Sequence, residues 1–155
     1  MAKSVNRFKN YHSGYVKKTI TVNAKIAKIW RKISDITSLS DWVIDVKKTI
    51  FLSKKKRGIG AIRKINFKDG NIVEEHVVRW EKGKCFSYIA VSGLPLRVYH
   101  ATISIKSLGK KSARISWESY LNSKKMTKKE FGEFLSFIEI FYQNSLKNLK
   151  SELES

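Results

Sequence analysis

Two hydrophobic periods run along the chain. Apolar and polar positions alternate through residues 15–22 and again through most of 43–121, the pattern of half-buried strands. From residue 127 to 153 the repeat changes to 3.6, the period of an amphipathic helix. Thr127 and Glu130 have the Thr-x-x-Glu spacing of a capping box at the start of that run. Phe131, Phe134, Leu135, Ile138, Tyr142, Ser145, Leu146 and Leu149 fall on one side of the predicted helix, and Lys129, Glu139, Gln143, Lys147 and Lys150 on the other. At 1.5 Å per residue this is about seven turns, and its aromatic stripe needs a large apolar surface to lie on.

The residues ahead of it supply one. A first strand is predicted over 15–22, with Val16, Ile20 and Val22 on one face, after an irregular arm over 1–14. Asn23 is placed to cap a helix over 24–34, whose Ile26, Ile29, Trp30 and Ile33 have helical spacing, and 35–41 forms a second short helical piece or turn. Strands follow over 43–52, 61–67, 72–80, 85–91, 97–106 and 113–121. Turn chemistry separates them, and Asp69-Gly70 has the form of a two-residue type I′ hairpin turn. Short turns make consecutive strands an antiparallel meander, and the first strand joins its edge. The expectation is a single α+β domain over 15–153: a seven-stranded curved antiparallel sheet gripping the long C-terminal helix, with two short helices after the first strand.

Composition agrees with a globular chain. Of 155 residues 42% are hydrophobic, and four Trp, six Tyr and eight Phe argue against disorder. The single cysteine, Cys85, excludes an internal disulfide and points to a reducing compartment. The N-terminal residues lack the apolar core of a signal peptide, and no apolar run is long enough to span a bilayer, so a cytoplasmic location is expected. The net charge of +19 changes the picture more. It is carried in lysine pairs such as Lys47-Lys48, Lys110-Lys111 and Lys124-Lys125 and in the run Lys54-Lys55-Lys56-Arg57, where turns and solvent faces are expected. A solvated basic surface is favoured over a dedicated anionic partner, with transient contact to an anionic membrane as a further expectation and nucleic acid disfavoured.

Several local patterns carry a resemblance. Ile29-Trp30 with Ile33-Ser34-Asp35 and then Ser40-Asp41-Trp42 resembles the VW-x-x-x-SD … W-x-x-W opening of the START-like (SRPBCC) superfamily. Gly58-x-Gly60, the 75–80 strand, Gly93-Leu94-Pro95-Leu96-Arg97 and Ser116-Trp117-Glu118 follow in that family's order, and the most similar branch is the polyketide cyclase/dehydrase and lipid-transport family. The resemblance spans roughly residues 15–152. The chain departs from it in having Trp42 alone at the paired tryptophan positions and Glu81-Lys82-Gly83 in place of a proline-rich turn. The resemblance implies a helix-grip fold with a ligand cavity. It does not imply one activity, because a fold of this kind hosts binders, transporters and enzymes.

Strand parity selects candidate cavity residues independently. Tyr99, Ala101, Ile103 and Ile105 face the helix, and Arg97 is assigned to the same face; so are Ala113, Ile115, Trp117, Ser119 and Leu121. With Lys82-Gly83 centring a turn, Tyr88 lies opposite Val77 and Ala90 opposite Glu75, which puts Glu75 inside and Ile72, Val78 and Trp80 outside. A buried carboxylate needs a partner, and Arg97 or Lys64 is the expected one. The candidate ligand-binding set is Glu75, Tyr88, Arg97, Tyr99, Trp117, Phe134, Ile138 and Tyr142, with Glu75 the acid or base if the protein is an enzyme. The histidines His12, His76 and His100 have no metal-ligand spacing, so neither a metal nor a cofactor is expected. Binding of a hydrophobic or amphipathic small molecule or lipid is favoured. A cyclase or dehydratase and a basic surface binder of nucleic acid or anionic membrane are the alternatives. Phe137 and Ile140, off the inner stripe, point to a homodimer or a contact with the N-terminal arm.

Overall fold

The computed structural model describes residues 11–155. Seven strands, β1 (His12–Val22), β2 (Val46–Phe51), β3 (Ile62–Phe67), β4 (Ile72–Glu81), β5 (Cys85–Ser92), β6 (Val98–Gly109) and β7 (Ser112–Ser123), form one open curved sheet. Its order is β1-β7-β6-β5-β4-β3-β2, and every neighbouring pair is antiparallel. Helix α1 (Ile26–Ile33) and a 3-10 turn (Ser38–Asp41) connect β1 to β2, and helix α2 (Lys128–Glu154) closes the chain. This is the helix-grip architecture: the sheet wraps a helix that buries one side against it.

β1 starts three residues earlier than its alternation suggests. His12–Gly14, expected in an irregular arm, pair with Leu121–Ser123 because β7 runs on to Ser123 and gives them a partner. Residues 1–10 of the arm lie outside the described residues. Asn23 does not cap α1. The N-cap is Lys25, without a side-chain hydrogen bond, and the Asn23 amide donates instead to Glu154 Oε2 at 2.7 Å. That contact ties the end of α2 to the end of β1. The capping box at the start of α2 is present in both directions: Glu130 N–H donates to Thr127 Oγ1 at 3.1 Å, and Thr127 N–H to Glu130 Oε1 at 3.0 Å.

The far end of α2 has unpaired carbonyls, as every helix does. Lys28 Nζ reaches the Leu153 carbonyl at 2.6 Å, and Lys150 Nζ reaches back to the Thr21 carbonyl at 3.0 Å. Ser145, a polar residue within the apolar stripe, accepts the Ile44 amide at 3.0 Å, while Asn148 Nδ2 donates to the Trp42 carbonyl at 3.3 Å. The segment after the 3-10 turn is therefore pinned to α2 by hydrogen bonds, which fixes Trp42. The lysine pairs and the 54–57 run are exposed in loops and at strand ends, as a solvated surface requires.

Two hairpins differ from their sequence reading. Gly70 N–H donates to the Phe67 carbonyl at 3.0 Å and Phe67 N–H to the Asn71 carbonyl at 2.9 Å, which makes the β3–β4 loop three residues long. A type I′ turn needs positive φ at both central residues. Gly70 has it (93°), whereas Asp45 is the one non-glycine residue with positive φ among the described residues, so Asp69 does not. In β4 a bulge between Val77 and Arg79 reverses the parity beyond it. Trp80, assigned to the outer face, is thereby brought opposite Phe86 and packs edge-on against Trp30 at 5.2 Å.

Candidate functional site

The concave face of the sheet is apolar because alternation puts Val73, Val77, Phe86, Tyr88, Tyr99, Ala101, Ile103, Ile115, Trp117 and Leu121 there, all buried. Against that background sit two charges. Arg63 and Glu75 are 4% and 6% exposed, directly opposite each other on β3 and β4. Arg63 Nε donates to Glu75 Oε1 at 2.9 Å, and its Nη2 approaches the same oxygen at 2.7 Å. Nη1 donates to the Ile36 carbonyl at 3.0 Å, and the guanidinium lies over the Tyr88 ring at 4.7 Å. Burial raises the Glu75 pKa above the ordinary carboxylate value, and Arg63 offsets part of that rise.

The pair borders a cavity of about 70 Å³. Its walls include Trp42, Phe86, Tyr88, Tyr99, Trp117 and Phe141, with Leu39, Val43 and Ile65 between them. The tyrosine hydroxyls are used locally. Tyr88 accepts the Trp117 indole N–H at 3.0 Å, and Tyr99 and Tyr142 hydrogen-bond each other. Burial raises the pKa of all three tyrosines, so they are neutral donors. Tyr142 is fully buried and stacks on Trp117, with ring centroids 4.0 Å apart and planes within 13°.

Outside the cavity, a surface groove of about 530 Å³ runs between α2 and the loops after β3 and β5. Phe67, Leu94 and Phe141 belong to both spaces, so they form the partition between groove and cavity. Phe134 and Phe137, on consecutive turns of α2, line the groove beyond them.

Of the sequence-predicted set, Glu75, Tyr88, Tyr99 and Trp117 border the cavity, and Phe134 borders the groove. Ile138 and Tyr142 are buried in the packing of α2 behind the cavity wall. Arg97 was misplaced. It is exposed at the end of β6, its guanidinium lies over the Tyr11 ring at 5.0 Å, and its amide donates to the Asn122 carbonyl at 2.8 Å. A long cation that can reach water does so, and parity carried one residue past the strand end does not hold. Lys64 pairs with Glu74 on the other face. The residues that sequence reasoning missed are Arg63, Trp42 and Phe141. The first follows from the alternation Ala61, Arg63, Ile65, all buried. Cys85 is buried, donates to Glu81 Oε2 at 3.0 Å, and has its thiol pKa pushed up to about 11 by burial and by that carboxylate. A thiol kept protonated in this way is a weak nucleophile.

The fold is that of a START-like domain. Residues 14–154 match the family described as polyketide cyclase / dehydrase and lipid transport, and the chain belongs to that family. No curated protein matches the chain. Solved structures do. The Zhui aromatase/cyclase from Streptomyces sp. R1128 is 16% identical over 92% of this chain and 94% of its own, with a TM-score of 0.78. The protein XoxI from Bacillus cereus is 17% identical over 90% and 95%, also at 0.78. A START superfamily protein from Mycobacterium smegmatis is 15% identical over 90% and 96%, at 0.74. At these identities the likeness is one of fold. No helix among the described residues is long and apolar enough to cross a membrane.

Proposed function

We propose that this protein binds a hydrophobic or amphipathic small molecule, with a small polar end in the inner cavity and the apolar remainder along the Phe134–Phe137–Phe141 groove. The observation that carries this reading is the Arg63–Glu75 pair, held nearly dry on the wall of an otherwise apolar cavity. A buried ion pair contributes little net stability against apolar residues of the same volume. Here both Arg63 contacts go to Oε1, which leaves Glu75 Oε2 as the oxygen for a ligand. The cavity volume of about 70 Å³ supports a short polar end, and the groove of about 530 Å³ supports the remainder. The family's lipid-transport members make such a ligand chemically reasonable.

Glu75→Gln tests this reading. It keeps the side chain's shape and removes the charge, and it is expected to weaken ligand binding by roughly 1–3 kcal/mol, the scale of a hydrogen bond to a charged group. Isothermal titration with a ligand recovered from the source cells checks it. Unchanged affinity removes Glu75 from the site. Turnover that stops while binding survives moves the protein to the cyclase/dehydratase reading, which the raised Glu75 pKa favours as an acid–base group.

Phe137 and Ile140 are each 59% exposed on α2, an apolar face that supports pairing of two copies. Phe137→Ser with Ile140→Ser is expected to lower the apparent mass in light scattering. A monomer both before and after the change removes the dimer.

A further inference from the structure

Alternate turns of an antiparallel meander lie at the same end of the sheet. The β2–β3, β4–β5 and β6–β7 turns therefore share one end with the start of α1, while the groove beside the loops after β3 and β5 is at the other. The chain's charge follows this division. The three turns near α1 carry eight cations, at 54–57, 82, 84, 110 and 111, and no acid. The three connections at the far end, 68–71, 93–97 and 124–127, carry four cations and Asp69. All eight cations of the first group are exposed, and none forms an ion pair among the described residues. Glu81, at the end of β4, is taken up by Arg79 at 2.7 Å. Arg57 and Lys82 flank one surface depression with Arg31 of α1, and the Lys84 carbonyl accepts the Ile105 amide at 2.8 Å, which joins the three turns into one face. Solvation accounts for exposed lysines, but not for their collection at one end without counter-charges.

Apolar side chains stand out on the same turns. Ile59, Leu52 and Leu108 are 58%, 46% and 45% exposed. The backbone holds Ile59 there. Gly58 and Gly60, with φ of 83° and 97°, flank it. Ala61 N–H donates to the Gly58 carbonyl at 3.1 Å, and Gly60 N–H donates to the Val77 carbonyl at 3.0 Å. Ile59 thus sits at the corner of a turn tied to β4, one residue after the run of four cations. Leu108 is the extra residue of a bulge between Ser107 and Gly109, beside Lys110-Lys111. Neither belongs to the core, and a turn corner in water gains nothing from an isoleucine. The Gly58-x-Gly60 pattern has no part in the interior site; its effect is to present that side chain among the lysines.

We infer that this end of the sheet docks on an anionic lipid bilayer, with Ile59 and Leu108 entering the boundary between headgroups and acyl chains and the surrounding cations lying against the headgroups. Stable attachment to such a surface takes both signals, apolar insertion and a polybasic patch. Nucleic acid would use the charge alone. Aliphatic turn corners have no partner on a phosphate backbone, and none of the three turns holds an aromatic ring on which a base could stack. The inference goes beyond the interior-binding reading and does not depend on it. The groove, at the other end of the sheet, stays clear of the bilayer in the docked protein.

Co-sedimentation of the full chain with vesicles tests this. At about 0.1 M salt the chain is expected to bind vesicles of phosphatidylcholine with about 30% phosphatidylserine, and to bind phosphatidylcholine alone at least about tenfold more weakly. Lys54→Gln, Lys55→Gln and Lys56→Gln together are expected to weaken binding about a hundredfold, at roughly fivefold per lysine. The same charge removed at the far end, by Lys124→Gln, Lys125→Gln and Lys128→Gln, is expected to change it by less than about threefold, since that end stays more than a Debye length from the lipid. Ile59→Ser leaves the charge as it is and is expected to weaken binding about tenfold. All seven side chains are exposed, so the melting temperatures of these variants should match the parent's. Equal losses from the two triple variants overturn the inference, because the charge then acts diffusely. So does Ile59→Ser binding as tightly as the parent, which leaves nothing inserted. A DNA duplex that binds more tightly than the anionic vesicles, with no effect of Ile59→Ser, replaces the bilayer by nucleic acid, and failure to sediment with the anionic vesicles removes the docking surface altogether. None of these outcomes touches the interior-binding reading, which Glu75→Gln tests.

Discussion

Arg63→Met is expected to destabilise the fold by about 3–5 kcal/mol at neutral pH, because it leaves the Glu75 carboxylate buried without a partner. Arg63 is 4% exposed and, among the described residues, is the side chain that hydrogen-bonds the Glu75 carboxylate. The deficit has a defined pH dependence. Glu75 in the folded chain already has a pKa above its ordinary value of 4.5, raised by burial and held back by Arg63. A carboxyl with a raised folded pKa favours folding below its unfolded value and loses that advantage as pH rises through the folded one. Removing the guanidinium removes the restraint, so the folded pKa rises further. The variant should approach the parent in stability near pH 4.5 and fall away from it between there and neutrality. Urea denaturation across that range measures this, and a deficit that is flat with pH would mean that the charge of Glu75 is not what Arg63 compensates. Adding Glu75→Leu to Arg63→Met should recover most of the loss, since no charge then remains to be buried.

That the pair was half-legible in the sequence has a physical reason. Glu75 was found by parity, but its partner depends on register, and register depends on the length of the β3–β4 loop. A two-residue turn at Asp69-Gly70 pairs Lys64 with Glu75. The observed three-residue loop moves the register by one and brings Arg63 there instead. Asp-Gly serves both geometries, because the longer loop also needs a glycine at positive φ. On the other side of β4 two departures cancel. The β4–β5 loop is also longer than the two-residue turn at Lys82-Gly83, as Trp80 opposite Phe86 and Glu81 opposite Cys85 show. The bulge after Val77 then takes the extra residue back out, so Tyr88 still pairs with Val77 and Ala90 with Glu75. Beyond the bulge, between it and the turn, Trp80 kept the wrong face.

The fold itself was legible because its signals are long. Twenty-seven residues of helical period with a capping box at their start, and six alternating runs between turn residues, leave few arrangements open. The cavity was less so. Trp42 and Phe141 contribute to its wall from a connecting segment and from the flank of α2's stripe, where neither strand parity nor the centre of the helical wheel selects them. Arg97 failed for the complementary reason: it stands outside β6, beyond the reach of alternation.

Gly93→Ala is expected to produce the second large effect, about 3 kcal/mol of lost stability, from a residue that touches no charge. Gly93 follows β5 with φ of +97°, a conformation that strains any side chain. Space is the stronger constraint. A Cβ built there would lie 2.0 Å from the Ile72 carbonyl oxygen and 2.8 Å from the Val73 Cα, both backbone atoms that no rotamer change can move. Asn71 Nδ2 also donates to the Gly93 carbonyl at 3.1 Å, so the loop after β5 is fastened against the start of β4 at this point. An alanine must separate the two, and Leu94, the next residue, is part of the partition between groove and cavity. At roughly 2–4 °C per kcal/mol for a chain of this size, the melting temperature should fall by about 6–12 °C. Hydrogen exchange should show the loss concentrated at the Ile72 end of β4, with the β6–β7 pairing retained. A melting temperature within a degree or two of the parent would mean that the loop moves off β4 at little expense. Leu94 would then be a mobile part of the partition rather than a fixed one.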